Sequence, residues 1–491
     1  MRAILWMSGA IFSFCLMAIS ARELDGLIDK FELLAIRSMV GLVLLVIIMN
    51  VIKRPRLMFT QRTKTHVWRN LFHFVGQFSW LVGIGILPLA EVFAIEFTVP
   101  LWVLIIAAIF ESAGALLAGG DVVGTISKGI IDPAAVGDPQ TFIWAMFAAL
   151  ISAALWVNLA TLVGAPVSTT HSVVGGVMGA GIAAAGFAAV NWPKMSQIAA
   201  SWVISPLLGG LIAALFLWFI KSQVSDKSDK ISAARRWVPV LIAIMAMAFT
   251  TYLAVKGVKK IIKIDLQTAM VIGAIAAALA YFLTKPIIKR QSEGKPNTKK
   301  TVRNLFTIPL VCAAAMLSFA HGANDVANAV GPLAAIVHTV EAGEVVSKVA
   351  IPIWVMVVGA FGISFGLLLF GPKLIRMVGE QITKLNPLRA YCVALSAAIT
   401  VIIASWLGLP VSSTHIAVGS VFGVGFFREI HWRISSSNKN VAELKLIEAE
   451  KQSSPKRKHR KLVRRSHFMT IIAAWVITVP AAAILSGFIF I

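Results

Sequence analysis

The sequence predicts an all-α polytopic membrane protein with about 12–14 membrane segments, re-entrant hairpins among them. Three observations predict it. Of 491 residues, 58% are hydrophobic and only 14% charged, too few charges to cover a soluble chain of this length. The apolar residues fall in runs of about 18 or more, the length a helix needs to cross hydrocarbon. Those runs are continuous rather than alternating with period two, which disfavours a barrel. A soluble enzyme, a secreted disulfide scaffold and a disordered chain are excluded.

The segments are expected at roughly 4–21, 32–52, 71–89, 92–118, 142–163, 166–188, 197–220, 237–255, 268–284, 304–335, 349–371, 390–408, 410–427 and 468–490. The first follows Arg2 and lacks a small-x-small cleavage site, so it reads as a retained signal anchor. Those beginning near Pro166 and Pro410 are rich in glycine and read as re-entrant hairpins.

Charge gives the orientation. The formal net charge is +23, and 29 of the 45 Lys and Arg fall in four stretches: 53–69, 221–236, 285–303 and 433–467. Each adjoins an apolar run, the positive-inside pattern, which places these loops in the cytoplasm of a multi-pass protein of a bacterial inner membrane. The same distribution argues against nucleic-acid binding. The run Lys456 to Lys461 reads as a solvated topogenic loop. Cys15, Cys312 and Cys392 stand far apart, with no metal-ligand spacing and no disulfide framework.

The chain repeats itself. Gly164-Ala165-Pro166-Val167-Ser168-Thr169-Thr170-His171 returns as Gly408-Leu409-Pro410-Val411-Ser412-Ser413-Thr414-His415, 244 residues later, and each copy runs into a glycine-rich stretch. Further on, Ala200-Ser201-Trp202-Val203-Ile204-Ser205-Pro206 matches Ala474-Trp475-Val476-Ile477-Thr478-Val479-Pro480, with the basic insertion lying inside the second copy. Two related membrane halves imply a pseudo-symmetric transporter with a site where broken helices meet. A channel would want a selectivity filter, and nothing resembles one.

Proline before hydroxyl residues in an apolar run interrupts a helix and leaves N–H donors in a protected place. Two such elements facing each other make a cradle of neutral donors for a tetrahedral oxyanion. Their candidate residues are Ser168, Thr169, Thr170, Ser412, Ser413 and Thr414. The plainer reading is that these side chains bond the preceding turn or cap a helix. A second constellation lies at Ser318 to Ala329, where His321, Asn324, Asp325 and Asn328 share a helix face. Oxygens of Asn324, Asp325 and Asn328 suit a hard cation such as Na+; Asp325 could instead take up a proton. Co-binding a cation offsets the cost of desolvating a multiply charged anion, so symport follows. No Gly-x-x-x-x-Gly-Lys-Ser/Thr loop supports ATP-driven transport, and no nucleophile–base pair or metal cluster supports an enzyme.

With these motifs in view, residues from about 104 to 491 resemble the PiT family of inorganic phosphate transporters. The residues that carry the resemblance are His321 to Ala329, the paired Pro-Val-Ser-x-Thr-His motifs, and Ile109-Phe110-Glu111-Ser112-Ala113-Gly114 leading to Gly119-Gly120-Asp121-Val122. The resemblance implies phosphate uptake coupled to Na+ or H+ through two inverted repeats, by alternating access and without an organic cofactor. It also implies phosphate at the six hydroxyl residues, the cation at Asn324, Asp325 and Asn328, and a homodimer.

The front departs from that pattern. A Gly-Ala-Asn-Asp motif is expected some way before Glu111, yet no Asn-Asp pair precedes residue 324. Residues 1 to about 105 instead resemble the start of an EamA-type drug/metabolite transporter, through Arg37-Ser38-Met39-Val40-Gly41, Phe74-Val75-Gly76-Gln77, Leu87-Pro88-Leu89-Ala90-Glu91 and Phe97 to Trp102. Glu91 and Glu96 read as structural or substrate-path residues of that front. The expected organisation is an EamA-like segment at 1–105, a first PiT-like repeat at 106–220, basic loops with two connecting helices at 221–303, and a second repeat at 304–491 carrying the insertion 433–467. Three functions compete: a phosphate:cation symporter, a remodelled fusion without transport because half the cation site is missing, and a metabolite exporter working through the front.

Overall fold

The computed structural model describes residues 13, 16–52, 63–86, 99–163, 167–257, 264–344, 351–381, 386–437 and 465–491. Glu91, Glu96, Pro166 and most of the insertion lie outside them. Among the described residues the chain is helical, with two isolated β-bridges, Asp25 to Ile28 and Ile131 to Val190. It forms two compact units, Met1–Val103 and Leu104–Ile491.

In the first unit α1 (Lys30–Val51) starts where the Asp29 carboxylate accepts from the Phe31 N–H, and it packs on α2 (Thr63–Ile86). Met39, Leu42 and Ile47 on α1 are exposed, as a lipid-facing helix requires. The Arg37 guanidinium donates to Gln77, joining two of the stretches that carry the EamA resemblance.

The second unit holds the repeats. α3 (Val99–Ala118), from Leu104 onward, forms with α4 (Gly120–Lys128) one apolar span bent by 66°. A Cβ on Gly119 would stand 2.6 Å from Val326 Cγ1, so only glycine fits the bend. Then come α5 (Pro139–Val163), α6 (Thr169–Ala185), α7 (Trp192–Ile220), α8 (Lys230–Tyr252) and α9 (Leu266–Ser292). The last two form a hairpin. After them follow α10 (Thr307–Asp325), α11 (Ala327–Ala342), α12 (Ile353–Gln381), α13 (Pro387–Trp406), α14 (Ser413–Ser437) and α15 (Arg465–Phe490). Acceptor side chains set several starts: Asn191 for α7, Asp229 for α8, Asp265 for α9 and Asn386 for α13.

Seven helices among the described residues are long and apolar enough to cross a bilayer, eight if the bent pair counts as one span. Shorter helices accompany them, among them the 17-residue α6. One run expected at 304–335 divides at Val326 into α10 and α11. Two basic stretches are less loop-like than expected. α9 carries Lys285, Lys289 and Arg290 to its end at Ser292, and α7 continues through a π-helical turn, Lys221–Ser225.

The repeats exchange helices. α6, which opens the first hydroxyl motif, packs on α15 at the far end of the chain; α14, its counterpart, packs on α7. Glycines make both contacts. A Cβ on Gly175 or Gly179 would sit 2.6 or 2.0 Å from the carbonyl oxygens of Val479 and Ala483; on Gly419 or Gly423 it would sit 2.3 or 2.0 Å from those of Pro206 and Gly210. These backbones touch, the close approach that small residues permit in lipid. α3 and α10 cross in the same way, with Gly114 against the Phe319 carbonyl and Gly322 against that of Glu111. Beyond the crossing, α4 lies along α11, so a bent pair and a broken pair run together through the middle of the unit.

Candidate functional site

A carboxylate in an apolar helix is costly unless partners are built for it. Asp325, the last residue of α10, has two. Its Oδ2 lies 3.0 Å from His321 Nε2 and accepts the Ser413 hydroxyl at 3.1 Å. The other imidazole nitrogen, His321 Nδ1, lies 2.9 Å from Oε1 of Glu111 on α3. Both imidazole contacts are donated hydrogen bonds only when both ring nitrogens carry a proton. One row thus runs Glu111–His321–Asp325–Ser413, the first three brought together by the glycine crossing of α3 with α10.

A second row uses the neighbouring amides. Asn328 donates through Nδ2 to Thr170 Oγ1 at 3.2 Å, and Thr170 donates to the Val411 carbonyl at 3.0 Å. The Val411 N–H donates to Asn324 Oδ1 at 3.1 Å, while Asn324 Nδ2 donates to Ser405 Oγ and the Leu409 carbonyl at 2.9 and 3.2 Å. Asn324 and Asn328 are buried. The Thr125 hydroxyl donates to the Gly408 carbonyl at 2.6 Å, tying the segment before the second motif to α4. The break at Leu407–Ser412 is therefore held by side chains from α4, α6 and α10.

Three buried oxygens in these rows accept no hydrogen bond from the protein: Glu111 Oε2, Asp325 Oδ1 and Asn328 Oδ1. Buried acceptors without donors are unfavourable by about 1–3 kcal/mol each, and a hard cation is the partner that oxygen donors of this kind suit.

The six hydroxyl residues divide by role. Ser168 and Ser412 cap α6 and α14, accepting from the N–H groups of His171 and His415, each at 3.3 Å. Capping, the plainer expectation, thus holds at these two positions. Thr170 and Ser413 belong to the amide and carboxylate rows. Thr169 is exposed and Thr414 half-buried, both in the first turn of a helix whose amides point toward them. The motif histidines meet where the copies meet: the His171 and His415 ring centroids are 4.9 Å apart, and His171 lies 3.9 Å from the Trp202 ring. Trp202 Nε1 donates to the Pro410 carbonyl at 2.9 Å. Of the nine expected site residues, Asn324, Asp325, Asn328, Thr170 and Ser413 take part in the two rows, and Thr170 carries the bonds that cross from one repeat to the other, to Asn328 and Val411. Glu111 carries part of the family resemblance without an expected role, although an acid inside an apolar run was itself the signal. Ser405, a lone hydroxyl near a helix end, carried none.

Residues 89–486 match the family model described as Phosphate transporter family. The chain belongs to that family. It is a transport protein rather than an enzyme, and the part resembling PiT transporters lies within the match. A Helicobacter pylori relative named "Putative phosphate permease" is 46% identical over 439 aligned residues, covering 79% of this chain and 82% of the relative. A Pyrococcus abyssi protein, also named a putative phosphate permease, is 35% identical, covering 80% and 88%. A solved structure, "The sodium-dependent phosphate transporter", superposes with a TM-score of 0.67 at 34% identity, covering 79% of this chain and 88% of that one. Residues 1–88 lie outside the family match.

Proposed function

We propose that this member of the phosphate transporter family moves inorganic phosphate inward by symport with Na+, through alternating access of its two repeats. The three buried, undonated oxygens of Glu111, Asp325 and Asn328 carry the reading. They stand one hydrogen bond from the motif hydroxyls: Asp325 from Ser413, and Asn328 from Thr170. A cation among them would offset the charge of an anion at Thr169, Thr414 and the helix starts beside them. The similar solved structure is that of a sodium-dependent transporter, which supports Na+; a proton on the same carboxylates is the alternative. Under this reading the protein lies in a bacterial inner membrane as a homodimer.

Uptake of radiolabelled phosphate into cells lacking other phosphate transport tests it, comparing the chain with Asp325→Asn and an empty vector, with insertion checked in parallel. Uptake should require Na+ in the medium and vanish with the substitution. Uptake indifferent to Na+ but driven by a proton gradient would replace the ion, and none from a well-inserted chain would overturn symport.

One observation favours a second reading. Thr169, the repeat counterpart of Ser413, is exposed, and the sequence before residue 324 offers no Asn-Asp pair to meet it. A fusion near residues 101–108 that replaced the front of the first repeat would leave the cation site half built and the chain inactive.

A further inference from the structure

A groove of about 390 Å³ opens on the side of the second unit, between α8, α9 and α13. Ile244, Met247, Ala248, Met270, Ile402 and Trp406 line it, and its one charged lining residue is Lys256. The three helices are all long and apolar enough to span, so hydrocarbon bathes the open side. Lys256 stands one residue before the end of its span, Lys230–Gly257, and Leu266 begins the next. The groove therefore starts at headgroup level and runs inward to Ile244, twelve residues along the helix or about 18 Å. That is the reach of an acyl chain rather than of a small polar solute.

The charged end is a pair. Lys256 Nζ binds Asp121 Oδ2 on α4, and the Asp121 side chain is 41% exposed. A lysine beside an accessible carboxylate complements a zwitterionic headgroup, phosphodiester to the ammonium and headgroup ammonium to the carboxylate. The wall leads to the candidate site. Tyr252 lines the groove, its hydroxyl faces Ser405, and Ser405 accepts from Asn324 at 2.9 Å. Trp406, next to Ser405 in sequence, is half exposed in the groove.

We propose that this groove is a specific phospholipid site, holding one acyl chain along α8 with a phosphoethanolamine headgroup on Lys256 and Asp121, and that its occupant braces Tyr252 and Trp406 against Ser405. The site involves lipid rather than transported phosphate, so it stands whether or not the chain is an active symporter.

Native mass spectrometry of the full chain, extracted in detergent and supplied with dioleoyl phosphatidylethanolamine, tests it. The chain should retain one lipid, and added lipid should raise its Tm. Ala248→Trp and Met270→Trp fill the groove from positions that are exposed, so both should leave the packed core intact, which the Tm without added lipid checks. Each should cut retention about tenfold, about 1.4 kcal/mol, and abolish the rise in Tm. Lys256→Gln should remove the preference for phosphatidylethanolamine over diacylglycerol. Equal retention by the parent chain and both filled variants would overturn the proposal. So would a lipid-free dimer that either filled variant dissociates, since a second copy would then occupy the groove.

Discussion

Thr170 donates its hydroxyl hydrogen to the carbonyl of Val411 at 3.0 Å, joining the two motif copies across 241 residues of chain. The same hydroxyl accepts from Asn328, so one small side chain links both copies to the amide row. Thr170→Val keeps the shape and removes both bonds, leaving a buried carbonyl and a buried amide unmet. The expected loss is about 2–6 kcal/mol, the sum of two unmet groups, read as a lower Tm in detergent. Thr170→Ser, which keeps the hydroxyl, should restore most of it.

Gly179 and Gly423 occupy equivalent positions in the two copies, and a Cβ at either would stand 2.0 Å from a backbone oxygen. No rotamer change relieves a clash with backbone, so the helices must part. Gly179→Ala and Gly423→Ala should each destabilise the chain by about 1–3 kcal/mol, with similar falls in Tm. A clear fall for one alone would mean that the helix exchange between repeats is not symmetric.

Asp265 gives a pH dependence outside the membrane. The Thr268 hydroxyl, followed by the backbone N–H groups that open α9, holds its carboxyl below the ordinary value of 3.8. A group held low in the folded state stabilises it fully above that ordinary value, and the contribution fades as pH falls through the folded value. Protection of the Gln267 and Thr268 amides, taken relative to intrinsic exchange at each pH, should therefore fall below about pH 4, with little change between neutrality and there. Asp265→Asn keeps an acceptor cap but has no carboxyl to titrate, so its exchange should lose that acid response.

Helices and repeats were legible because hydropathy and an eight-residue echo need no partner to be seen. Asn324, Asp325 and Asn328 were legible because polar atoms in an apolar run demand an explanation. The division of labour among the hydroxyls was not. Ser168 and Thr169 are neighbours of the same chemistry, and only the helix start at Thr169 makes one a buried cap and leaves the other exposed. The exchange of α6 and α14 between halves was hidden too, because Gly175 and Gly419 look alike whichever helix they touch. Glu111 needed the α3–α10 crossing, a contact spanning 210 residues, before its partner could be named.

Ser413 and Thr169 are 244 residues apart and equivalent by repeat, yet Ser413 donates to the Asp325 carboxylate at 3.1 Å whereas Thr169 is exposed. A hydrogen bond to a charged acceptor is worth about 1.5–3 kcal/mol, more than an exposed hydroxyl contributes. Ser413 also fixes which Asp325 oxygen is engaged, leaving Oδ1 without a donor. In Ser413→Ala the carboxylate is free to turn, and the affinity for the coupling cation should weaken by about tenfold or more. In Thr169→Ala, at saturating phosphate, it should be nearly unchanged, since its counterpart carboxylate is missing from the sequence; the half-saturating phosphate should rise instead. Uptake measured against Na+ concentration separates the two: a large rise in the half-saturating Na+ for Ser413→Ala alone is expected. Equal rises for both would mean that another residue of this chain supplies the missing carboxylate, and that the cation site is complete.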